Sequence, residues 1–235
     1  MRREVLEELL RDAAAKRAAV LVTDLGSGAS RLMHLDADEG VEPEVLAAAR
    51  EAVRRDESST LERAGGMLFL TVYNPPVRVV VVGAVHIAQA LAPMVQLAGY
   101  EVVVVDPRPA FATEERFAGI PLLVERPEEA FAKLGIDRRT AVVAVTHDRD
   151  IDDPALAAAL RSDAFYVGAL GSRKGQAARR ERMKALGFTA ADLARVHGPV
   201  GLDLGAVSPG EIAVSILAPL VGRLRRPGEP AAAVG

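Results

Sequence analysis

The chain contains no cysteine. That absence excludes structural disulfides, thiolate metal ligands, thiol nucleophiles and carriage of sulfur as a persulfide. Aromatic residues make up only 4% of the 235 positions and tryptophan is missing, so stacking platforms for bases are scarce. Neither sign of charge dominates: 29 Lys and Arg against 32 Asp and Glu give a net charge of −3. Such a balance lacks the basic footprint of a nucleic-acid binder, and nucleic acid is set aside as a partner. No apolar run approaches the roughly 18 residues of a membrane span. The N-terminus, Met1-Arg2-Arg3-Glu4, carries an acid where a signal peptide places an apolar stretch. A cytoplasmic chain without membrane association is expected.

What is present is a hydrophobic fraction of 50%, ample for a packed core. Residues 1–74 read as a small α+β module. Apolar Val5, Leu6, Leu9 and Leu10 share one face of a helix over 4–19, and Val45, Leu46, Ala49 and Val53 do so over 43–55. Strand candidates are 20–23, 31–35 and 67–73, with Gly26-Ser27-Gly28 as a turn. Asn74-Pro75-Pro76 then stops regular structure, because consecutive prolines remove donors and bias the preceding residue to extended backbone.

Beyond that boundary, strand candidates 78–83, 101–106, 120–124, 141–146 and 164–168 are separated by helical patterns at 87–98, 127–134 and 153–162. This alternation predicts an α/β fold over 77–226, a Rossmann-like doubly wound parallel sheet. Helices are further expected over 173–187, 189–196 and 211–224. Ser208 as N-cap, Pro209 and Glu211 form a capping box for the last of these. Its apolar character suggests a homodimer, and 227–235, rich in Pro, Gly and Ala, reads as a disordered tail.

In an open parallel sheet, ligands bind beyond the carboxyl ends of the strands. Gly83-Ala84-Val85-His86-Ile87-Ala88 meets the first and third small positions of a dinucleotide fingerprint, but Val85 fills the place where a second glycine lets the backbone approach a pyrophosphate. His86 is placed to bond a bound anion or to cap the following helix; the alternative is a half-buried polar residue without a ligand role. Asp106, with Arg108 beside it, falls about 20 positions beyond Gly83, where an acid meets a ribose hydroxyl. Thr146-His147-Asp148 closes another strand; His147 is a candidate polar contact, and the alternative is a solvated turn before Asp153-Pro154. Gly168, Gly171, Ser172 and Arg173 precede a helix with exposed N–H groups and positive charge, which suits an anion; an ordinary turn is the other reading. His197-Gly198-Pro199-Val200-Gly201-Leu202-Asp203 is too rich in glycine for an element and too apolar for a linker, so an ordered loop is expected to bring His197 and Asp203 toward the sheet edge.

Three ordered segments carry a resemblance: Tyr166-Val167-Gly168-Ala169-Leu170-Gly171-Ser172-Arg173, then His197 to Asp203, then Glu211-Ile212-Ala213-Val214-Ser215-Ile216. Together they resemble the XdhC/CoxI family of xanthine dehydrogenase accessory proteins, over roughly 77–224. The resemblance implies a Rossmann-like domain that binds molybdenum cofactor, as molybdopterin or its nucleotide form. It also implies assistance to the sulfuration and insertion of that cofactor into a molybdenum hydroxylase of the xanthine or carbon monoxide dehydrogenase type. Family members commonly carry a cysteine in a glycine-rich N-terminal segment. Here 1–74 has only Gly26-Ser27-Gly28 and Gly65-Gly66, so sulfuration would need a separate cysteine desulfurase. The family reading makes the chain a maturation factor without catalytic or metal-ligating residues. The alternative is an NAD(P)-dependent oxidoreductase using Gly83 and Asp106, with His147 and Asp148 as acid and orienter; Val85 counts against it.

Overall fold

The computed structural model describes residues 2–36 and 40–226, so the tail read over 227–235 lies outside the described residues. The chain divides into two compact units at Pro75 and Pro76.

The first unit contains α1 (Arg3–Ala14), β1 (Ala19–Asp24), β2 (Ser30–Met33), α2 (Pro43–Arg55), β3 (Ser59–Arg63) and β4 (Gly66–Tyr73). Its strands form an antiparallel sheet in the order β2-β1-β4-β3. Strand β1 alternates as a central strand should: Ala19 and Leu21 pack on Val5 and Leu9 of α1, while Val20 joins Met33, Leu70 and Ala49 of α2. Strand β3, Ser59-Thr60-Leu61-Glu62-Arg63, escapes a hydrophobic reading because it is an exposed edge. Helix α1 stops earlier than its apolar periodicity suggests, because Lys16 turns to φ +51 and Arg17 N returns to the Asp12 carbonyl at 2.9 Å.

Asp12 is 1% exposed and anchors this unit. It bonds His34 Nε2 at 2.7 Å and accepts from Arg17 Nε at 2.7 Å. Burial pushes its carboxyl up, but His34 and Arg17 outweigh that and hold it below the usual carboxylate range. A depressed carboxyl contributes stability that is complete above its unfolded pKa, about 4, and is lost as pH falls through the lower folded value. Asp12→Ala is therefore expected to cost about 2 kcal/mol at pH 7, with the difference from wild type shrinking below about pH 4. Urea unfolding of both proteins at pH 7 and pH 3 measures this.

The second unit contains β5 (Arg78–Val82), α3 (His86–Leu97), β6 (Glu101–Val105), β7 (Leu122–Leu123), α4 (Pro127–Leu134), β8 (Thr140–Ala144), α5 (Arg149–Leu160), β9 (Tyr166–Ala169), α6 (Arg173–Ala185), α7 (Ala190–Ala194), β10 (Val196–His197) and α8 (Pro209–Arg225). All six strands run parallel in the order β10-β9-β8-β5-β6-β7. This is a Rossmann-like doubly wound sheet. Its strand order reverses beside β5, which lies between β6 and β8. Helices cover both faces, which explains the unbroken valines: Val79 and Val81 pack in the core with α3 and α8, Val80 and Val82 in the core with α4 and α5.

Helix α5 begins at Arg149 rather than after Pro154. Asp148 caps it, and the carbonyl of Asp150 that Pro154 cannot serve accepts from Arg126 Nη2 at 3.1 Å. Helix α8 starts with the expected capping box of Ser208 and Glu211. Within α8, Pro219 leaves the Ser215 carbonyl without a helical donor, and Leu202 N supplies one at 2.9 Å. That bond seats the loop after β10 against α8. Gly201 fits only because it lacks a side chain: a Cβ there would lie 2.6 Å from Ser215 Oγ. The apolar stripe of α8 from which a homodimer is expected is largely used inside the unit, where Ala213, Ile216 and Leu220 share a core with α3. Among the described residues no helix is long and apolar enough to cross a membrane.

Candidate functional site

At the reversal of strand order, Gly83 leaves β5 with φ +117, and a Cβ on it would lie 2.5 Å from Thr146 Cγ2. The turns after β5 and β8 therefore touch, and only glycine permits it. Ala84 N then donates to Asp106 Oδ2 at 2.7 Å. Asp106 follows β6 and is fully buried. Its Oδ2 also accepts from Arg108 Nη2 at 2.8 Å, while Oδ1 accepts from Arg108 N and Nε, both at 2.9 Å. A carboxylate offers about four lone-pair positions, and all are filled. Burial pushes Asp106 up, but the Arg108 guanidinium and the two backbone N–H groups hold it below the ordinary range. Asp106 thus reaches a ligand only through Arg108.

Arg108 is partly exposed, its guanidinium 4.3 Å from the Phe111 ring and its Nη1 4.0 Å from Asp148 Oδ2. The Phe111 segment is tied to the Gly83 turn by Arg116, which donates through Nη1 to Ala84 O at 2.8 Å and Phe111 O at 2.6 Å. Sequence reasoning missed Arg116, since one arginine in an irregular loop carries no periodic signal.

Three helix N-termini open on this edge, and their caps differ. Ser172 Oγ accepts from Gly175 N at 3.1 Å at the start of α6, and Asp148 Oδ1 from Asp150 N at 3.0 Å at the start of α5. Helix α3 begins after Val85, whose side chain cannot cap it, and His86 in its first turn is exposed. Of the roles open to His86, the capping one and the half-buried one are not seen. His147 sits between β8 and α5 with φ +63 and an exposed ring, and Arg173 is exposed at the start of α6.

Beneath the edge runs a buried polar chain that sequence reasoning also missed. Thr146 Oγ1 donates to Asp152 Oδ1 at 2.6 Å, and Arg179 Nη2 meets Asp152 Oδ2 at 3.3 Å. Arg179 Nη1 donates to Leu170 O at 3.2 Å and to Gln176 Oε1 at 2.7 Å, and Gln176 Nε2 to Ala169 O at 2.8 Å. The turns after β8 and β9 are thereby held together. Burial raises the Asp152 carboxyl, and Thr146 and Arg179 offset only part of the rise.

Other expected contacts lie elsewhere. Gly168 is inside β9, where a Cβ would meet Val200 Cγ2 at 2.6 Å, so its glycine serves packing. Gly171, at φ +137, faces Gln176. The His197 ring stacks on buried Tyr166 with centroids 4.4 Å apart, and burial, with Arg223 nearby, holds its imidazole below the usual value. Asp203 is exposed on the loop before α8. The strand ends thus gather Gly83, His86, Asp106, Arg108, Thr146, His147, Asp148, Gly171, Ser172 and Arg173, whereas Gly168, His197 and Asp203 serve or adjoin the packing of β9, β10 and α8. Among the described residues, no group of three or more His, Asp or Glu is arranged to hold a metal ion.

The family model described as the XdhC Rossmann domain matches residues 79–220. The chain belongs to the XdhC family. It is 30% identical over 146 residues to the molybdenum cofactor insertion chaperone PaoD of Escherichia coli, covering 62% of this chain and 40% of PaoD. It is 29% identical over 160 residues to a probable xanthine dehydrogenase subunit of Bacillus subtilis, covering 68% of this chain and 46% of that protein. The chain spans less than half the length of these curated relatives. A crystal structure of a xanthine dehydrogenase from Bacillus halodurans superposes with a TM-score of 0.71 at 24% identity, over 95% of this chain and 67% of that one, which shows a shared fold. The XdhC Rossmann match encloses every strand-end residue described above, from Gly83 to Arg173.

Proposed function

We propose that this XdhC-family chain binds molybdenum cofactor at the strand ends of its second unit and delivers it to a molybdenum hydroxylase of the xanthine or carbon monoxide dehydrogenase type. The observation that carries the reading is the N-terminus of α3: no side chain caps it, it lies where the strand order reverses, and Arg108 shares an acceptor oxygen with the turn that leads into it. Helix N–H groups and a guanidinium suit the anionic phosphate of a pterin cofactor. His86 and Arg173 add polar and cationic contacts, with His147 at the opposite turn. The name of PaoD supports the same reading. The cofactor supplies the redox chemistry of its eventual enzyme; this chain binds and orients it. With no cysteine, the chain leaves sulfuration to a separate desulfurase.

A nicotinamide reading loses its ribose acceptor, because the oxygens of Asp106 are already engaged.

Val85→Asp tests the proposal. A carboxylate at this N-cap satisfies the first-turn N–H groups and repels an anion. Its capping gain, about 1 kcal/mol, offsets lost valine packing, so stability is expected to change little. Maturation of a co-expressed hydroxylase in a cofactor-producing host should fall at least about tenfold. Unchanged maturation by the folded variant would remove α3 from the site.

A further inference from the structure

The end of β6 is where a doubly wound fold reads the ribose of a dinucleotide, usually with an acid that accepts from its hydroxyls. Here that acid is turned inward. The four acceptor positions of Asp106 are taken by Ala84 N and by Arg108 N, Nε and Nη2. A sugar hydroxyl arriving there finds no free acceptor on it.

What faces outward is Arg108. A guanidinium has five N–H groups. Two are committed to Asp106 through Nε and Nη2, which leaves the second hydrogen of Nη2 and both hydrogens of Nη1 without a hydrogen-bond partner among the described residues. The group cannot swing away easily: Asp106 grips it through two side-chain bonds, and the Phe111 ring lies 4.3 Å from it. Arg116 in turn holds the Phe111 segment to Ala84. Asp148 Oδ2, 4.0 Å from Nη1, is the competing anion, and its other oxygen is occupied as the cap of α5. A fixed guanidinium with a free edge recognises phosphate oxygens.

We infer that the end of β6 binds a phosphate monoester through Arg108, with Asp106 as the positioning residue that aims it, and does not accept an unmodified ribose diol. The inference rests on the proposal that the strand ends are the ligand site, and it specifies what is read there. Two ligands carry the chemistry, a nucleotide phosphorylated on its ribose and a phosphorylated pterin.

Calorimetry separates these sources with three probes: 2′,5′-ADP, 5′-ADP and molybdopterin, each titrated into the full chain and its Arg108→Met and Arg108→Lys variants. A nucleotide source predicts that wild type binds 2′,5′-ADP at least about tenfold tighter than 5′-ADP, a preference both variants lose because lysine keeps the charge but not the fork. A pterin source predicts no such nucleotide preference and molybdopterin affinity that falls at least about tenfold in Arg108→Met. Molybdopterin binding that is equal in wild type and both folded variants, with no nucleotide preference, overturns the inference and leaves the proposed function standing. A nucleotide preference without molybdopterin binding does the reverse. Binding of none of the probes by wild type overturns both. The wild-type ratio of the two nucleotides needs no variant, and in the pterin arm Arg108→Lys, which keeps a charge beside buried Asp106, is compared with wild type if Arg108→Met does not fold.

Discussion

Gly83→Ala is expected to destabilise the second unit by about 2–6 kcal/mol. Two independent costs add. The residue adopts φ +117, where an L side chain is strained by roughly 1–3 kcal/mol, and the new Cβ would lie 2.5 Å from Thr146 Cγ2, an overpacking cost of roughly 1–3 kcal/mol. Thr146 cannot turn aside freely, since its hydroxyl bonds Asp152 at 2.6 Å. Thr146→Ser removes the offending methyl and keeps that hydroxyl, so in the Gly83→Ala background it should recover most of the packing part and leave the backbone part, with the contact to Thr146 N at 3.2 Å remaining. Guanidinium unfolding of the four proteins of this cycle separates the terms. Equal midpoints for wild type and Gly83→Ala would mean that the turns after β5 and β8 are not in contact.

Asp152→Leu is the second large effect, at about 3 kcal/mol, because it strips buried Arg179 of its hydrogen-bonded carboxylate and leaves it the more distant Asp153 Oδ1, 3.6 Å from Nε. The raised carboxyl of Asp152 shows that burial costs more than Thr146 and Arg179 return. Replacing both partners should therefore cost much less than replacing one: Asp152→Leu with Arg179→Met is expected to regain most of the loss. Additive losses in the double variant would contradict that balance. Under the proposed function the double variant should nonetheless support hydroxylase maturation less well, because Arg179 also holds the Leu170 carbonyl at the turn into α6.

The sheet is legible in the sequence because valines buried on both faces leave an unbroken apolar run at 79–82 and 102–105. The Ser208 cap is legible because its signal spans three residues. Longer-range pairings are not. Asp106 stands at the position of a ribose acceptor, and nothing in its spacing tells that Arg108 folds back to fill it. Gly198 and Gly201 read as part of an ordered loop and Gly168 as part of an anion-binding turn, but the side chains that require them, Gln176, Ser215 and Val200, lie elsewhere in the chain and leave no local signal. Strand β10 hides in that loop because it is only two residues long. The start of α5 is masked because Pro154 looks like a first-turn proline, whereas Arg126 satisfies the carbonyl it frees. The Asp152 to Arg179 pair joins α5 to α6 and leaves no local pattern at all.

Native mass spectrometry of the full chain, purified anaerobically from a cofactor-producing host, tests whether it holds molybdenum cofactor. Wild type is expected to carry a bound species with the mass of molybdenum cofactor, lost or strongly depleted on Val85→Asp. Wild type carrying only its polypeptide mass, from cells in which a hydroxylase is being matured, would contradict it.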